Sequence, residues 1–287
     1  MTGQNLLEPI IAAAKASQVI GPDDYRDEEG FLVCGSCKTR RETEIKDLSD
    51  PTGQTMVKVP ILCECRLKAR EEEEARQKKI EWEERLKRLR QLSLMDERLA
   101  NATFDNFEVR PQNEKCHKLL SSYAKRFDQM VEKSQGLLLY GTVGSGKTYG
   151  AACIANYLLD LGVPVIMTSF VKIVDSMRGW SNPDETMVDR LNRAKLLIID
   201  DLGAERDTEF ALERVYDIID SRYRSRLPLI LTTNLNVTDM LNENDIRYSR
   251  IYDRIFEMCV PIPFSGIEWR KEEASRRFKR MQEYMED

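Results

Sequence analysis

The sequence predicts an α/β fold in which helices flank both faces of a parallel β-sheet. From about residue 101 onward, helical patterns alternate with short, continuous apolar runs, which is typical of buried parallel strands. A glycine-rich stretch with a phosphate-binding pattern follows the first run, and a pair of acidic residues ends a later one. Both features fall where parallel sheets bind their ligands, beyond the carboxyl ends of the strands.

The elements of this fold can be placed from residue spacing. Before and between the strands, apolar residues recur every three or four positions, as at Leu120, Tyr123 and Phe127, and this spacing predicts amphipathic helices. The predicted strands are GLLLY (136–140), PVIMTSF (164–170), KLLIID (195–200) and PLILTTN (228–234).

The stretch YGTVGSGKTYG, residues 140–150, contains the phosphate-binding pattern G-x-x-x-x-G-K-[ST]. Its glycines let backbone N–H groups turn toward phosphate oxygens, and the helix that follows adds the positive end of its dipole. We expect Lys147 to reach the β- and γ-phosphates of a nucleotide and Thr148 to ligate Mg²⁺. The predicted nucleotide contacts are Gly141, Thr142, Val143, Gly144, Ser145, Gly146, Lys147, Thr148 and Tyr149.

Polar residues at the ends of two later strands complete the expected site. Asp200 is the predicted carboxylate on the magnesium side, and Asp201 is predicted to orient or deprotonate the attacking water. Either residue could instead cap the turn that follows the strand. Asn234 ends the next strand, where its amide could hydrogen-bond the γ-phosphate or the water, or could simply form a turn.

A row of arginines in RYSRIYDRIFEMC, residues 247–259, bears on what the nucleotide is for. The spacing places Arg247, Arg250 and Arg254 along one side of a helix. Arginines at a helix surface are usually solvated, but such a row could also reach the γ-phosphate of a neighbouring subunit. That second interpretation favours a nucleotide-dependent switch over a small-molecule kinase, which would need a substrate pocket and a lid.

Taken together, the motifs resemble the AAA+ ATPases of the initiator clade. GTVGSGKT, LLIIDDLGAE, LILTTN and RIYDRIF, with the lead-in NATFDNFEV, occur in that family's order over about residues 100–275. The chain looks most like the replicative helicase loaders of the DnaC and DnaI type and their relative IstB. This resemblance implies an ATPase that binds ATP and Mg²⁺, associates with itself, and loads a DnaB-type helicase onto single-stranded DNA.

The resemblance also implies roles for individual residues. Lys147 and Thr148 would belong to Walker A, Asp200 and Asp201 to Walker B, and Asn234 would be sensor 1. Arg254 would be the arginine finger, with Arg250 as a secondary candidate, and Arg270 in IEWRKEE would be a sensor-2-like arginine that contacts the nucleotide.

Two departures from the wider AAA+ pattern favour a loader. Many AAA+ proteins carry Glu where this chain has Asp201, and the shorter side chain suits a slow switch. Only about fifty residues follow Asn234, too few for a full helical lid domain. The alternatives are an IstB-like transposition ATPase and a non-hydrolysing, zinc-containing DNA-binding regulator.

Four of the seven cysteines lie within residues 1–65. Cys34 and Cys37 form C-x-x-C in VCGSCK, and Cys63 and Cys65 form C-x-C in LCECR. Two short-range pairs separated by a loop can close a tetrahedral zinc site, and four thiolates leave no open position, so the site should be structural. The alternatives are a redox dithiol or ordinary buried thiols.

The chain is expected to have three parts. Residues 1–65 would form a zinc-binding domain, which the resemblance to DnaI-type loaders assigns to helicase binding. Residues 66–100 open with a charge-dense run free of Gly and Pro, which predicts a connecting helix or, alternatively, a solvated charged stretch. Residues 101–287 would form the ATPase domain.

Composition and the distribution of apolar residues indicate the cellular compartment of the protein. The chain has 287 residues and a formal net charge of -5, with 41% hydrophobic and 32% charged residues. No apolar run approaches the ~20 residues of a membrane span, and the N-terminus lacks the layout of a secretory signal. We therefore expect a cytoplasmic protein with no membrane partner and with reduced cysteines.

Contacts with single-stranded DNA would have to come from local features, because a mildly acidic chain has no global attraction to nucleic acid. The resemblance implies channel residues, and the candidates by position are Trp180, Thr208 and Phe210. An exposed aromatic suits sequence-independent stacking, but Phe210 fits equally well as a core residue. The arginines of SRYRSR (221–226) could contact phosphates or solubilise a helix end.

Overall fold

The computed structural model describes residues 20–47, 54–173, 187–203, 209–266 and 268–286. The chain divides into two compact units, Met1–Glu83 and Glu84–Asp287. The division falls within one long helix, α1 (Glu64–Leu92), of which no residue is buried. This exposure explains the charge-dense composition of the helix, and only near its end does an apolar residue, Leu89, pack against the core of the second unit.

The first unit contains two small antiparallel sheets. Strands β1 (Tyr25–Arg26) and β2 (Leu32–Val33) form one, and β3 (Glu42–Lys46) and β4 (Met56–Pro60) form the other. Its described residues bury few apolar side chains, namely Phe31, Leu32, Val33, Cys34 and Cys63. So small a core contributes little hydrophobic stabilisation, which is the circumstance in which small domains use a metal or other cross-link.

The second unit alternates helices and strands as the sequence predicts. A 3₁₀ turn at Glu97–Leu99 precedes its regular elements. Those elements are α2 (Glu114–Lys125), α3 (Phe127–Glu132), β5 (Gly136–Gly141), α4 (Lys147–Asp160), β6 (Val165–Ser169), α5 (Met187–Asn192), β7 (Leu196–Leu202), α6 (Glu209–Ser225), β8 (Leu229–Thr233), α7 (Val237–Leu241), α8 (Ile246–Met258), β9 (Cys259–Phe264) and α9 (Trp269–Glu286).

The described strands of this unit form a parallel sheet in the order β6-β7-β8-β5-β9. Strand β5 pairs with β8 from Leu137↔Ile230 onward, and β7 pairs with β8 from Leu197↔Leu229. The carboxyl ends of β5, β8 and β7 therefore lie side by side, and the phosphate-binding stretch, Asn234 and the two aspartates meet at one end of the sheet. The predicted α/β class is confirmed.

Helices cover both faces of the sheet. On one face Leu120 of α2 and Ile154 and Leu158 of α4 pack against the strands, and on the other face Ile219 of α6 and Ile255 of α8 do so. The central strands are buried on both sides, which explains their continuous apolar runs. Full burial of each such side chain contributes about 1.5–3 kcal/mol relative to exposure.

Of the two edge strands of the sheet, the sequence predicts β6 but not β9. Strand β9, CVPIPF, was not predicted because Pro261 and Pro263 interrupt it. Proline cannot donate a ladder hydrogen bond, so it is tolerated in a strand at the edge of a sheet. At the other edge, the backbone N–H of Met167 in β6 donates to the carbonyl oxygen of Ser93, 2.8 Å away.

For Arg222, the structure contradicts the prediction that the arginines of SRYRSR contact phosphates or solubilise a helix end. Its side chain is fully buried, and the guanidinium donates to the carbonyl oxygens of Ala194 (2.9 Å), Lys195 (3.3 Å) and Pro228 (2.7 Å). Burial lowers the pKa of Arg222 to about 10, which leaves it charged at neutral pH. These carbonyls immediately precede β7 and β8, so Arg222 fixes the entry to two strands and is available neither to phosphate nor to solvent.

Among the described helices, none combines the length and the apolar composition that crossing a bilayer requires.

Candidate functional site

A cavity of about 710 Å³ lies at the carboxyl end of the sheet. It is lined by the phosphate-binding stretch, by both aspartates and Asn234, and by the first turn of α9. Among the lining residues are the predicted Val143, Gly144, Ser145, Gly146, Lys147, Thr148, Tyr149, Asp200, Asp201, Asn234 and Arg270. The structure thus brings together side chains that the sequence separates by more than a hundred positions.

The loop from Gly141 to Gly146 contains three glycines whose backbone angles only glycine adopts freely. Gly141, Gly144 and Gly146 have φ angles of 142°, 78° and 98°, in the region that L side chains avoid. A Cβ on Gly141 would also lie 1.9 Å from the carbonyl oxygen of Phe264 in β9. The neighbouring strand therefore fixes the start of the loop, while Gly146 leads into α4 and directs its N-terminus at the cavity.

Lys147 is buried, and its ammonium group is held by the loop it belongs to. Nζ donates to the carbonyl oxygens of Gly141 (2.9 Å) and Thr142 (2.8 Å) and to Oδ1 of Asn234 (2.8 Å). Burial lowers the pKa of Lys147, and the charges of Asp201 and Asp200 partly oppose this shift. A phosphate oxygen arriving here would find a positive charge already aimed into the cavity.

Asp200 is the centre of a small hydroxyl-carboxylate cluster. Its Oδ1 accepts hydrogen bonds from the hydroxyls of Thr148 (2.8 Å) and Thr232 (2.5 Å). Burial raises the pKa of Asp200, although both hydrogen bonds act in the opposite direction. A hydroxyl and a carboxylate are hard oxygen ligands of the kind that Mg²⁺ prefers, so the pair fits the predicted metal. Thr232 is a supporting partner that holds this carboxylate from the neighbouring strand β8.

Asp201 lies in the cavity because the strand is irregular. Successive residues of a strand normally point to opposite faces. Here the pairing with β8 shifts register between Ile199 and Leu202, and Asp201 has a positive φ of 56°. Its backbone N–H donates to Thr232 Oγ1 (2.9 Å), which secures this conformation. Both aspartates therefore line the same cavity, and Asp is favoured over Glu because short polar side chains tolerate this region of φ.

The rest of the cavity wall was not predicted. Phe107 and Trp269 bring aromatic surface to it, and Leu94 and Leu99 add aliphatic surface. An apolar wall next to a phosphate-binding loop fits the base of a nucleotide. No spacing rule identifies these residues, although Phe107 lies in the NATFDNFEV lead-in that carries the family resemblance.

The arginines of α8 differ in how they are held. The Arg254 side chain is 24% exposed, and its Nε pairs with Asp220 Oδ1 at 2.9 Å. Its Nη2 donates to the Tyr216 hydroxyl (3.1 Å), and the guanidinium lies over the Tyr216 ring. Arg250, one turn earlier, is exposed and has no ion-pair partner in the described part of the chain. The predicted finger is thus already bound within its own subunit, whereas the secondary candidate is not.

The four cysteines of the first unit converge. The Sγ atoms of Cys34, Cys37, Cys63 and Cys65 all lie within 4.8 Å of one another. A hydrogen bond from the Thr39 hydroxyl lowers the pKa of Cys37 to about 5, while contact with the Cys63 thiol raises that of Cys65 to about 12. Four thiols this close together cannot all carry a negative charge unless a cation neutralises it, and a divalent cation would do so. These donors therefore fit zinc.

Of the three predicted DNA contacts, only Phe210 lies within the described residues. Trp180 and Thr208 lie outside the described residues. Phe210 is 41% exposed, and the guanidinium of Arg214 lies 5.3 Å from its ring centroid. Phe210 is therefore not a core residue of α6, which was the alternative.

A phosphate-binding loop on β5, acidic residues on β7 and a polar residue after β8, at the carboxyl end of one parallel sheet, are the features of a P-loop nucleotide-binding domain. Within that class, the chain belongs to the family of IstB-like ATP binding proteins, whose family model matches residues 67–277. The match begins after the four cysteines, so it does not include them.

Three relatives show the range of the family likeness. The phage-like element PBSX protein XkdC of Bacillus subtilis (strain 168) is 29% identical, over 65% of this chain and 74% of its own length. The replicative helicase loader DnaI of the same strain is 24% identical, over 66% of this chain and 65% of its own length. The replicative helicase loader DnaC of Escherichia coli (strain K12) is 27% identical, over 54% of this chain and 63% of its own length.

The likeness extends to three dimensions. The crystal structure of DnaI superposes with a TM-score of 0.52 at 24% identity, covering 63% of this chain and 99% of that chain. The DnaC helicase loader gives a TM-score of 0.53 at 20% identity, covering 59% of this chain and all of that chain. At these identities the comparison establishes a shared fold.

Proposed function

We propose that this protein is an ATP-dependent loader that places a DnaB-type replicative helicase on single-stranded DNA. The observation that carries the proposal is the cavity in which Lys147, Asp200, Asp201 and Asn234 converge. Membership of a family of ATP-binding proteins, and relatives that are themselves replicative helicase loaders, support it.

In the proposed reaction the chain binds ATP and cleaves its terminal phosphate slowly. Lys147 binds the β- and γ-phosphates, and Thr148 and Asp200 would hold a magnesium ion, which would neutralise phosphate charge. Asp201 orients the attacking water and accepts its proton. Asn234, whose amide oxygen accepts a hydrogen bond from Lys147, loses or keeps that contact according to whether a γ-phosphate is present.

The first unit is the proposed helicase-binding part. The cysteine cluster would hold a structural zinc ion, and α1 connects this unit to the ATPase domain along the chain. The exposed Phe210 is retained as a candidate for base stacking with single-stranded DNA. Binding of ATP would then control how the ATPase domain associates with DNA and with further copies of the chain.

Asp201→Asn is the variant that tests the switch. Asn tolerates the positive φ at this position, so we expect a folded protein that binds ATP but hydrolyses it ~10²–10⁴-fold more slowly. Hydrolysis is measured with the helicase and single-stranded DNA present. Loading is measured as helicase hexamers retained on circular single-stranded DNA.

The wild-type chain should load helicase with ATP, and the Asp201→Asn chain should bind the helicase without completing the cycle. Asp239→Asn, an exposed change on α7, is the matched control and should behave as wild type. If wild type shows no turnover and Asp201→Asn is indistinguishable from it, the protein is a non-hydrolysing regulator. Capture of a transposase rather than a helicase would favour the IstB-like transposition ATPase.

The arginines of α8 are tested by mixing subunits. We expect Arg254→Ala to lose about 10³-fold of the stimulated hydrolysis rate, since a finger acts on the neighbour's γ-phosphate. Adding Lys147→Met chains, which keep the arginine but lack a working site, should restore part of the rate. A loss confined to Arg250→Ala would move the finger to Arg250. No recovery on mixing for either variant would contradict action between subunits.

A further inference from the structure

The first turn of α9 lies directly on the phosphate-binding loop. The backbone N–H of Trp269 donates to the carbonyl oxygen of Gly144 at 3.0 Å. A Cβ on Gly146 would lie 3.3 Å from the indole Nε1 of Trp269, and one on Gly144 would lie 3.4 Å from Cβ of Arg270. The turn is therefore hydrogen-bonded to the backbone that would hold the phosphates, and it lies close enough that a side chain on either glycine would touch it.

One side chain from a distant part of the chain clamps this turn. Arg110 donates through Nη1 and Nη2 to the two carboxylate oxygens of Glu272, each at 2.9 Å. Its guanidinium carbon lies 4.1 Å from the ring centroid of Trp269. A two-pronged carboxylate bond combined with stacking on an indole fixes both the position and the orientation of the partner residues.

Arg110 is itself held in place. Glu108 accepts hydrogen bonds from its Nε (2.9 Å) and Nη2 (2.6 Å), and Asn113 Oδ1 accepts one from its backbone N–H (2.7 Å). The side chain is only 26% exposed. The clamp is thus built on the segment before α2, which belongs to the wall of the same cavity.

Beyond its first turn, α9 is mostly exposed. Its side chains from Ala274 to Met285 are exposed, including Phe278 at 65% and Tyr284 at 81%, although Glu273 and Arg276 still line the cavity. Arg110 and the Trp269–Gly144 hydrogen bond therefore both hold the start of the helix against the cavity. Arg270, between the two clamped residues Trp269 and Glu272, lines the cavity with Lys147, and its charge adds to the lowering of the Lys147 pKa.

We propose that Arg110 is a positioning residue for nucleotide discrimination: by holding Trp269 and Glu272, it keeps Arg270 at the phosphate end of the cavity, where Arg270 favours ATP over ADP. This inference rests on the proposed nucleotide-binding function of the site. Arg110 acts through its two partners and need not touch the nucleotide.

The test is the ratio of ATP to ADP affinity, measured by calorimetry on the full chain with Mg²⁺ and without helicase. Arg110→Ala and Glu272→Gln should each weaken ATP binding by roughly tenfold and leave ADP binding at its wild-type value. Arg110→Lys keeps the charge but lacks the planar fork, so it should fall between wild type and Arg110→Ala. Arg277→Ala, which breaks another Arg–Glu pair on the same helix, should change nothing.

Equal weakening of ATP and ADP, or an unchanged ratio in both variants, would overturn the proposal. If Arg110→Ala does not fold, Glu272→Gln decides, because it removes one hydrogen-bonded charge and leaves the aromatic stack. A wild-type chain that prefers ATP and loses the preference in these variants, yet loads no helicase, would support the clamp and refute the loader function.

Discussion

Lys147→Met should abolish the stabilisation of the protein by ATP. The wild-type chain at a ligand concentration of 100 Kd should gain about 2.7 kcal/mol, which for a domain of this size corresponds to a rise in Tm of roughly 5–10 °C. Lys147 supplies a buried positive charge at the phosphate site, and removing one partner of such a charge pair weakens binding by about 100-fold or more.

The same substitution should leave the nucleotide-free protein about as stable as wild type. Burial already lowers the pKa of Lys147, so the ammonium is held at a cost that Met does not bear. Differential scanning fluorimetry with and without Mg-ATP separates the two effects. Lys118→Met, at an exposed position paired with Glu114, is the control and should keep the full shift. A Lys147→Met chain that still gains several degrees with ATP would show that the cavity is not the nucleotide site.

Cys63→Ser should unfold the first unit. Cys63 is 1% exposed and lies in a cluster with three further thiols. A structural zinc ion contributes an apparent ~10–16 kcal/mol, more than the small apolar core of this unit can replace. The expected result is about one zinc per wild-type chain, less in the variant, and loss of the β-sheet signal of strands β1 to β4. The ATP-induced rise in Tm should remain.

Elemental analysis and circular dichroism on the full chain, with and without a chelator, make this measurement. Ser36→Ala lies between Cys34 and Cys37 and is exposed, so it should retain the metal. A redox dithiol at Cys34 and Cys37 predicts the opposite pattern, since Cys63→Ser would leave that pair intact. A metal-free wild-type chain with a stable first unit would contradict the zinc site.

The sequence predicted those parts of the site that depend on local pattern. Continuous apolar runs located four strands, and the motif at residues 141–148 located the loop, because burial and phosphate binding each restrict residue type locally. The two cysteine pairs between Cys34 and Cys65 could be assigned to one metal site because each pair is also a local pattern. The Sγ convergence agrees with that grouping.

What the sequence did not predict depends on contacts between distant residues. Arg110 and Glu272 are 162 positions apart, and nothing in either neighbourhood indicates the pair. Arg222 was assigned to the surface because arginines usually are, yet three carbonyl groups at strand starts stabilise it inside. The ion pair of Arg254 with Asp220, and the strand irregularity that turns Asp201 into the cavity, are likewise properties of the assembled fold.

The two borders of the large sheet limit how copies of the protein can join. Along β9, Pro261 and Pro263 remove hydrogen-bond donors, and along β6 the N–H of Met167 is already satisfied by Ser93. A foreign strand arriving at either border would meet missing or occupied partners, which disfavours polymerisation by sheet extension. Oligomers of this chain are therefore expected to form through side-chain surfaces, where a change of bound phosphate can make or break the contact.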